Sequence, residues 1–342
     1  MTRPRVLLFF VDGVGLGVDD SRFNPFSVAQ LPTFTELLGG VRVASGAAPQ
    51  QGTAATLVAV DAVLGMEGTP QSGTGQATLL TGTDAVALHG GHFGPWVPAR
   101  LRSLVRERSV LAQAQGAGLT AAFANAYPEE VNQAAADGKL ALPSDDRAVG
   151  TLSALSGRAE PRVRSGRERR ASSFLRAGPP LAALGAGLLT RHTPELVLGD
   201  AVASELTNEG WREHLGREDV PLIDAVNAGR NLARIAVAHD LTLFAHYATD
   251  YAGHRRDMEA AVQTLERLDS FLEGLLDQAD GDLLILMASD HGNIEDVRTG
   301  HTRNPALGLV IGTDHQRIAS RLTSLTDIGP AIMRMLTSQQ QG

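Results

Sequence analysis

Carboxylate and imidazole side chains fall in four short clusters along the chain. The clusters are Asp12 in VDGVG, Asp250 with His254 in DYAGH, the adjacent pair Asp290 and His291, and His301 in GHTRNP. Divalent cations take carboxylate and imidazole ligands, and hydrolytic sites with two metal ions need about six or seven of them. A single strand-ending aspartate is usually a turn former or a helix cap. The four clusters together predict a metal site.

Ser72 lies in the glycine-rich segment QSGTGQATLLTG, residues 71–82. One interpretation is structural, because serine is a common residue at helix N-termini. A nucleotide-binding P-loop is not favoured, since the segment lacks the Gly-Lys-Ser/Thr ending. The functional interpretation is a nucleophilic hydroxyl at a helix N-terminus, where N–H groups and the helix dipole favour an alkoxide and an incoming phosphate. Metal coordination would complete its activation.

Three continuous apolar runs predict the strands that position these acids. The runs are Val6–Val11 (VLLFFV), Leu241–Tyr247 (LTLFAHY) and Asp282–Ala288 (DLLILMA). Each is followed within a few residues by an aspartate of the clusters. Unbroken apolar runs of this length are typical of strands buried on both faces of a parallel sheet. Ligands of open α/β sheets bind beyond the carboxyl ends of the strands, so the three acids are expected at one rim.

Helical periodicity separates the predicted strands. Apolar residues recur at helical spacing over Met258–Gln278 and Ile223–Ala238, and Val110–Gly118 is predicted to be a helix followed by a strand at Leu119–Ala126. Alternating helices and buried strands predict an α/β fold, with a doubly wound, mostly parallel sheet and helices on both faces.

The middle of the chain lacks this strand pattern and is rich in arginine. We expect residues 1–128 and 220–342 to form the core and residues 129–219 to form a small inserted cap, because an unstructured loop of that length is uncommon in one domain. Guanidinium groups bind phosphate and carboxylate, so the cap arginines are substrate-binding candidates, with a solvated basic surface as the alternative. These candidates are Arg162, Arg164, Arg167, Arg169 and Arg170.

Composition excludes several other classes of function. The chain has 342 residues, a formal net charge of -8 and no cysteine. The negative charge argues against nucleic acid or an anionic membrane as the main partner, and thiolate chemistry and disulfides are excluded. The apolar run at residues 6–11 is too short for a signal peptide or a membrane span. We therefore expect a cytoplasmic protein with a small-molecule substrate.

The same motifs resemble those of a known family. The spacing of Ser72, Gly75 and Gly82 is similar to the nucleophile segment of the alkaline phosphatase superfamily, in particular its branch of cofactor-independent phosphoglycerate mutase and phosphopentomutase. The later motifs of that branch resemble DYAGH at 250–254, DHGN at 290–293 and GHTRNP at 300–305. The resemblance implies an alkaline-phosphatase-like core that holds two divalent metal ions, with Mn preferred and Zn possible.

Carried onto this chain, the resemblance implies a role for each ligand. Asp250, His254 and His301 would hold one metal ion. Asp12, Asp290 and His291 would hold the other, and Ser72 would bind it as the nucleophile.

Three functions stay open. The favoured one is a phosphatase or phosphodiesterase that acts on small phosphoesters through a phosphoserine intermediate, because the predicted cap is small. The second is a phosphomutase, although Gln76 stands where the mutase motif carries a histidine. The third is a non-catalytic metal-binding protein, against which the intact nucleophile and ligand set argue.

Overall fold

A mixed seven-stranded sheet forms the centre of the computed structural model, which describes residues 4–44, 49–129, 131 and 175–337. The strands are β1 (Arg5–Val11), β2 (Gln50–Gln51), β3 (Ala55–Val60), β4 (Ala121–Phe123), β5 (Leu241–His246), β6 (Leu283–Ala288) and β7 (Ala306–Ile311), in the spatial order β2-β3-β7-β6-β1-β5-β4. Strands β6, β1, β5 and β4 pair in parallel, whereas β7 pairs antiparallel with both β6 and β3. Five of the seven described strands therefore run in one direction, and the predicted mostly parallel sheet is confirmed.

The described α-helices cover both faces of the sheet. They are α1 (Pro32–Leu37), α2 (Ser72–Thr81), α3 (Ala85–His89), α4 (Arg102–Arg108), α5 (Val110–Gly116), α6 (Gly178–Gly185), α7 (Thr193–Leu198), α8 (Glu209–Glu213), α9 (Ala225–Val237), α10 (Ala248–Arg255), α11 (Met258–Gln278), α12 (His315–Ala319) and α13 (Leu325–Thr337). Helices α2, α5, α6 and α13 pack in one apolar cluster with Leu8 of β1, whereas α9 and α11 pack in a second with Phe9. Successive side chains of a strand point to opposite faces, so β1 contributes to both layers.

The central strands form as the apolar runs predict. Every residue of β5 and β6 is buried, and β1 lies between them in parallel register. A strand that is covered on both faces needs apolar side chains at every position, which explains the unbroken runs. The arrangement places the carboxyl ends of β1, β5 and β6 side by side.

The strands outside the central group of β1, β5 and β6 differ from the prediction. Strand β4 spans three residues rather than the expected Leu119–Ala126. The reason is Asn125, whose side chain exchanges two hydrogen bonds of 2.8 Å with the backbone of Ala245 and replaces the strand ladder. Strands β3 and β7 were not predicted, and β7 carries Gly308 within its short apolar run.

Part of the segment predicted to be a cap packs on the core. Leu175, Leu181 and Leu189 belong to the buried cluster that contains Leu8 of β1. The backbone of Val202 pairs with Asn125 and continues the sheet beyond β4. The division at residues 129–219 stays a prediction. The five candidate arginines between 162 and 170 lie outside the described residues.

Membrane insertion of a helix is not indicated. Among the helices of the described ranges, none combines the length and the apolar character needed to cross a bilayer. The cytoplasmic location stays a prediction.

Candidate metal centre

The predicted ligands meet at the carboxyl ends of the central strands. Asp12 directly follows β1, and Asp290 lies two residues beyond the end of β6. Asp250 lies in the first turn of α10, which follows β5. His254 comes four residues after Asp250, so the two side chains share one face of this helix. His301 is delivered by the connection between β6 and β7.

One group of ligands is fully enclosed. It consists of Asp12, Asp290 and His291, each of which offers an atom within 4.8 Å of the others. The Nε2 atom of His291 lies 3.4 Å from Oδ1 of Asp12 and 3.8 Å from Oδ2 of Asp290. The three side chains are buried, so an ion held there would be screened little by solvent.

A second group opens towards solvent. It consists of Asp250, His254 and His301, again with one atom each within 4.8 Å of the others. The Nε2 atoms of His254 and His301 lie 3.3 Å and 3.5 Å from the Asp250 carboxylate oxygens. The side chain of His254 is 53% exposed, so this group is open to solvent on that side. The groups adjoin, because the rings of His291 and His301 stack with centroids 4.0 Å apart.

The histidine rings are oriented for metal binding. Nδ1 of His301 lies 3.0 Å from the carbonyl oxygen of Pro70, and Nδ1 of His291 lies 3.3 Å from that of Gly292. A carbonyl oxygen only accepts, so in both rings Nδ1 carries the hydrogen. This assignment leaves Nε2 free to face the carboxylates. Metal-binding histidines usually donate their other ring N–H to a carbonyl or carboxylate oxygen in this way.

Two buried carboxylate oxygens lack the partner that burial requires. Oδ1 of Asp290 accepts the N–H of Gly13 at 3.3 Å, whereas its Oδ2 and the Oδ1 of Asp12 accept no hydrogen bond from the described residues. An unpaired buried carboxylate oxygen is costly, and buried charges are normally paired or coordinate metals. Both oxygens point into the enclosed group, and the residues there fit a divalent cation.

The electrostatics of the enclosed group lead to the same conclusion. Burial, followed by the neighbouring carboxylates of Asp290 and Asp250, raises the pKa of Asp12 well above its usual value. Burial also raises the pKa of Asp290. Burial opposes the charged form of His291, but the surrounding carboxylates, led by Asp290, raise its pKa to about 10. The carboxylates of the cluster outnumber its positive charge, and a divalent ion would supply the positive charge that is missing.

Ser72 lies beside this group. It is the first residue of α2, and its Oγ lies 2.9 Å from Nε2 of His291. The N–H of Thr74 already donates to the carbonyl oxygen of Phe93 at 2.9 Å. The N–H groups of Ser72 and Gly73 are therefore the candidate donors to a phosphoryl oxygen at this helix end.

Two functional residues were missed in the sequence. Nδ2 of Asn293 donates to Oδ1 of Asp250 at 2.6 Å and orients that carboxylate. Glu295 is fully buried and accepts four hydrogen bonds. Its donors are the backbone N–H groups of Gly15 and Asn293 and the side chains of Thr302 and Asn304. Glu295 thus joins the loop after β1 to both ends of the connection that carries His291 and His301. Its position just after DHGN was the available signal.

We expect Glu295→Gln to destabilise the protein by about 3 kcal/mol or more, because the new NH2 group would face N–H and O–H donors in a buried site. Glu266 is the control, since the carboxylate of this half-buried residue accepts a single described hydrogen bond, from the N–H of Gln30. Urea unfolding of Glu295→Gln and Glu266→Gln measures the difference. Equal stability of the two variants would contradict a structural role for the Glu295 carboxylate.

His246 gives a pH-dependent prediction. It ends β5, is 1% exposed, and its Nδ1 donates to the carbonyl oxygen of Ser204 at 2.6 Å. Burial lowers its pKa from 6.5 to about 4. The unfolded state therefore binds the proton more readily, and the stabilising contribution is complete above pH ~6.5 and decreases as the pH falls towards ~4. The full effect is about 3 kcal/mol.

Urea unfolding at pH 7.5 and pH 4.5, in excess chelator, tests this for the wild type and His246→Asn. The asparagine keeps a donor for Ser204 but does not titrate, so we expect a smaller loss of stability at low pH. Identical losses would show that another group controls the pH dependence. Turnover should change little in His246→Asn or on replacement of His239, which lies before the amino end of β5.

Comparison with known proteins relates the C-terminal part of the chain to metalloenzymes. Residues 221–340 match the family model described as Metalloenzyme superfamily. A 2,3-bisphosphoglycerate-independent phosphoglycerate mutase from Francisella philomiragia is 29% identical over 130 residues, which cover 35% of this chain and 23% of the mutase. The mutase of the same name from Desulforudis audaxviator is 31% identical over 107 residues, covering 29% of this chain and 21% of that protein. The chain thus spans less than a quarter of the length of these relatives.

A solved structure has a similar fold. The PH0037 protein from Pyrococcus horikoshii aligns with a TM-score of 0.51 and 13% sequence identity, covering 100% of this chain and 99% of that one.

Proposed function

We propose that the chain is a member of the alkaline phosphatase superfamily and a two-metal phosphohydrolase that cleaves small phosphoesters with Ser72 as its nucleophile. The match of residues 221–340 to a metalloenzyme family model and the similarity to phosphoglycerate mutases support this proposal. The observation that carries the proposal is the position of the Ser72 hydroxyl, 2.9 Å from Nε2 of His291 and beside two adjoining groups of metal-binding side chains. A serine that only started a helix would not need metal-binding side chains beside its hydroxyl.

Each ligand group has its own part. Asp12, Asp290 and His291 would hold one metal ion together with Ser72, and Asp250, His254 and His301 would hold the other. Bound divalent ions would neutralise the phosphoryl oxygens and lower the pKa of the serine hydroxyl. Carboxylate and imidazole donors without thiolates suit Mn or Zn, and we favour Mn.

The chain's own groups carry the reaction. Ser72 Oγ loses its proton and bonds to phosphorus while the bond from phosphorus to the leaving alcohol breaks, and the alcohol takes up a proton. The N–H groups of Ser72 and Gly73 donate to a phosphoryl oxygen at the N-terminus of α2. Water then attacks the phosphoserine, which releases inorganic phosphate and restores the hydroxyl. The exposed His254 side marks the approach for substrate and water.

Substrate selection is assigned to the predicted cap. We propose that arginines among residues 162–170 bind the part of the substrate that is not transferred, because guanidinium groups pair with phosphate and carboxylate. A cap limited to residues 129–219 would leave the phosphoserine open to water, which favours hydrolysis.

A phosphomutase is the second candidate, because the matching relatives include phosphoglycerate mutases. A mutase must exclude water until its intermediate has reoriented. The test measures inorganic phosphate release from phosphomonoesters and phosphodiesters by the Mn-loaded protein, beside product assays for 2- and 3-phosphoglycerate and for pentose 1- and 5-phosphates. We expect phosphate release. Stoichiometric isomerisation with negligible phosphate release would favour the mutase.

A further inference from the structure

Gln76 connects the enclosed metal group to α6, the first described helix after residue 174. It lies one helical turn after Ser72 on α2 and is 1% exposed. Its Nε2 donates to Oδ2 of Asp12 at 3.2 Å, and its Oε1 accepts the N–H of Gly178 at 2.8 Å. If the amide were flipped, its oxygen would face the Asp12 carboxylate and its NH2 group would face the N–H of Gly178. The two partners therefore fix its orientation.

The first of these bonds orients Asp12. With Oδ2 held by Gln76, Oδ1 is the oxygen that points towards His291 Nε2, and it accepts no hydrogen bond from the described residues. A metal ligand needs one oxygen free and its carboxylate plane fixed. Loss of a partner that fixes a ligand in this way typically weakens metal binding by about 10- to 100-fold.

The second bond joins Gln76 to α6. Gly178 is the first residue of that helix, and an N–H at this position has no acceptor within the helix. A Cβ atom added at Gly178 would lie 2.8 Å from Cβ of Gln76 and 3.0 Å from Cδ1 of Leu80. The two helices are therefore in close contact here, and a movement of α6 must displace Gln76.

We infer that Gln76 is a positioning residue that fixes the Asp12 carboxylate for metal binding and couples it to α6. The inference rests on the metal site of the proposed function. Its consequence is regulatory, since a ligand that shifts α6 changes the metal affinity of the enclosed group without touching a metal ligand.

Gln76→Met tests the positioning role. Methionine matches glutamine in length but neither donates to Asp12 nor accepts strongly from Gly178. Calorimetric titration of the chelator-stripped protein with Mn²⁺ should show binding to the enclosed group weakened by about 10- to 100-fold. The melting temperature of the metal-free variant reports any purely structural loss. Wild-type Mn²⁺ affinity together with a lower metal-free melting temperature would overturn the inference, because Gln76 would then only join two helices.

Two alanine variants of α6 test the coupling. Gly178→Ala presses on Gln76, whereas Gly185→Ala at the other end of the helix places a Cβ 2.2 Å from the carbonyl oxygen of Arg106. Both should lower the metal-free melting temperature, but only Gly178→Ala should weaken Mn²⁺ binding. Equal Mn²⁺ affinity in the two variants would overturn the coupling. A wild-type protein that binds no Mn²⁺ or Zn²⁺ would instead overturn the proposed function itself.

Discussion

Ser72→Ala is expected to abolish turnover, lowering kcat by on the order of 10^4-fold or more, because both the hydrolase and the mutase route pass through phosphorylated Ser72. The change should leave the fold intact. The Ser72 hydroxyl has one described partner, Nε2 of His291, and the turn that starts α2 does not depend on it. Alanine is also a better helix former than serine.

Steady-state phosphate release and mass spectrometry of the protein trapped with substrate measure this effect. Thr81→Ala is the matched control, since Thr81 lies at the other end of α2 and its hydroxyl donates to the carbonyl oxygen of Ala77. The control should retain turnover and the wild type should show phosphate on Ser72. Phosphate release by Ser72→Ala within ~10-fold of the wild type would mean that water attacks the substrate directly.

Removal of metal should lower the melting temperature strongly. Asp12, Asp250 and Asp290 are all buried within one cluster, and their mutual repulsion is relieved only in part by the histidines. An ion that binds only the native state stabilises it by about 2.7 kcal/mol at a concentration of 100 times its dissociation constant. Scanning calorimetry in excess chelator, followed by addition of Mn²⁺ or Zn²⁺, should show a loss of stability and then its recovery.

Asp290→Asn separates repulsion from metal binding. The amide removes a buried charge, so the metal-free variant should melt above the metal-free wild type, but Mn²⁺ should no longer raise its melting temperature. Its turnover should be lost. Asp277→Asn is the control, because this exposed carboxylate pairs with Arg230 on the surface and should leave the Mn²⁺ effect unchanged. A melting curve of the wild type that does not respond to complete metal removal would contradict the site.

The central strands and their acids could be predicted from the sequence because burial on both faces demands a local, unbroken apolar run. Strands β1, β5 and β6 each show such a run, and the aspartates that follow them lie together. His301 was assigned through the family resemblance, since no local pattern relates it to His254. Strand β3, which lies between β2 and β7, and the antiparallel β7 have short or interrupted apolar runs that resemble other segments.

The contacts that orient the ligands could not be predicted in this way. Glu295 receives the N–H of Gly15 across 280 positions of sequence, and Gln76 receives that of Gly178 across 102. Such pairs depend on how distant segments pack. The sequence alone does not distinguish a buried glutamate from an exposed one. The Gln76 position was noted only as a departure from the mutase motif.

The position of β1 within the sheet has a consequence for synthesis on the ribosome. Among the described strands β1 is translated first, yet both of its neighbours, β5 and β6, are translated more than 200 residues later. Its apolar VLLFFV segment therefore has no native partner strand until residues 241–246 have been translated. Pairing between such distant segments is slow, and unpaired apolar strands are prone to aggregate. Productive folding of the nascent chain thus requires that this segment stays away from other chains until residue 288 has left the ribosome.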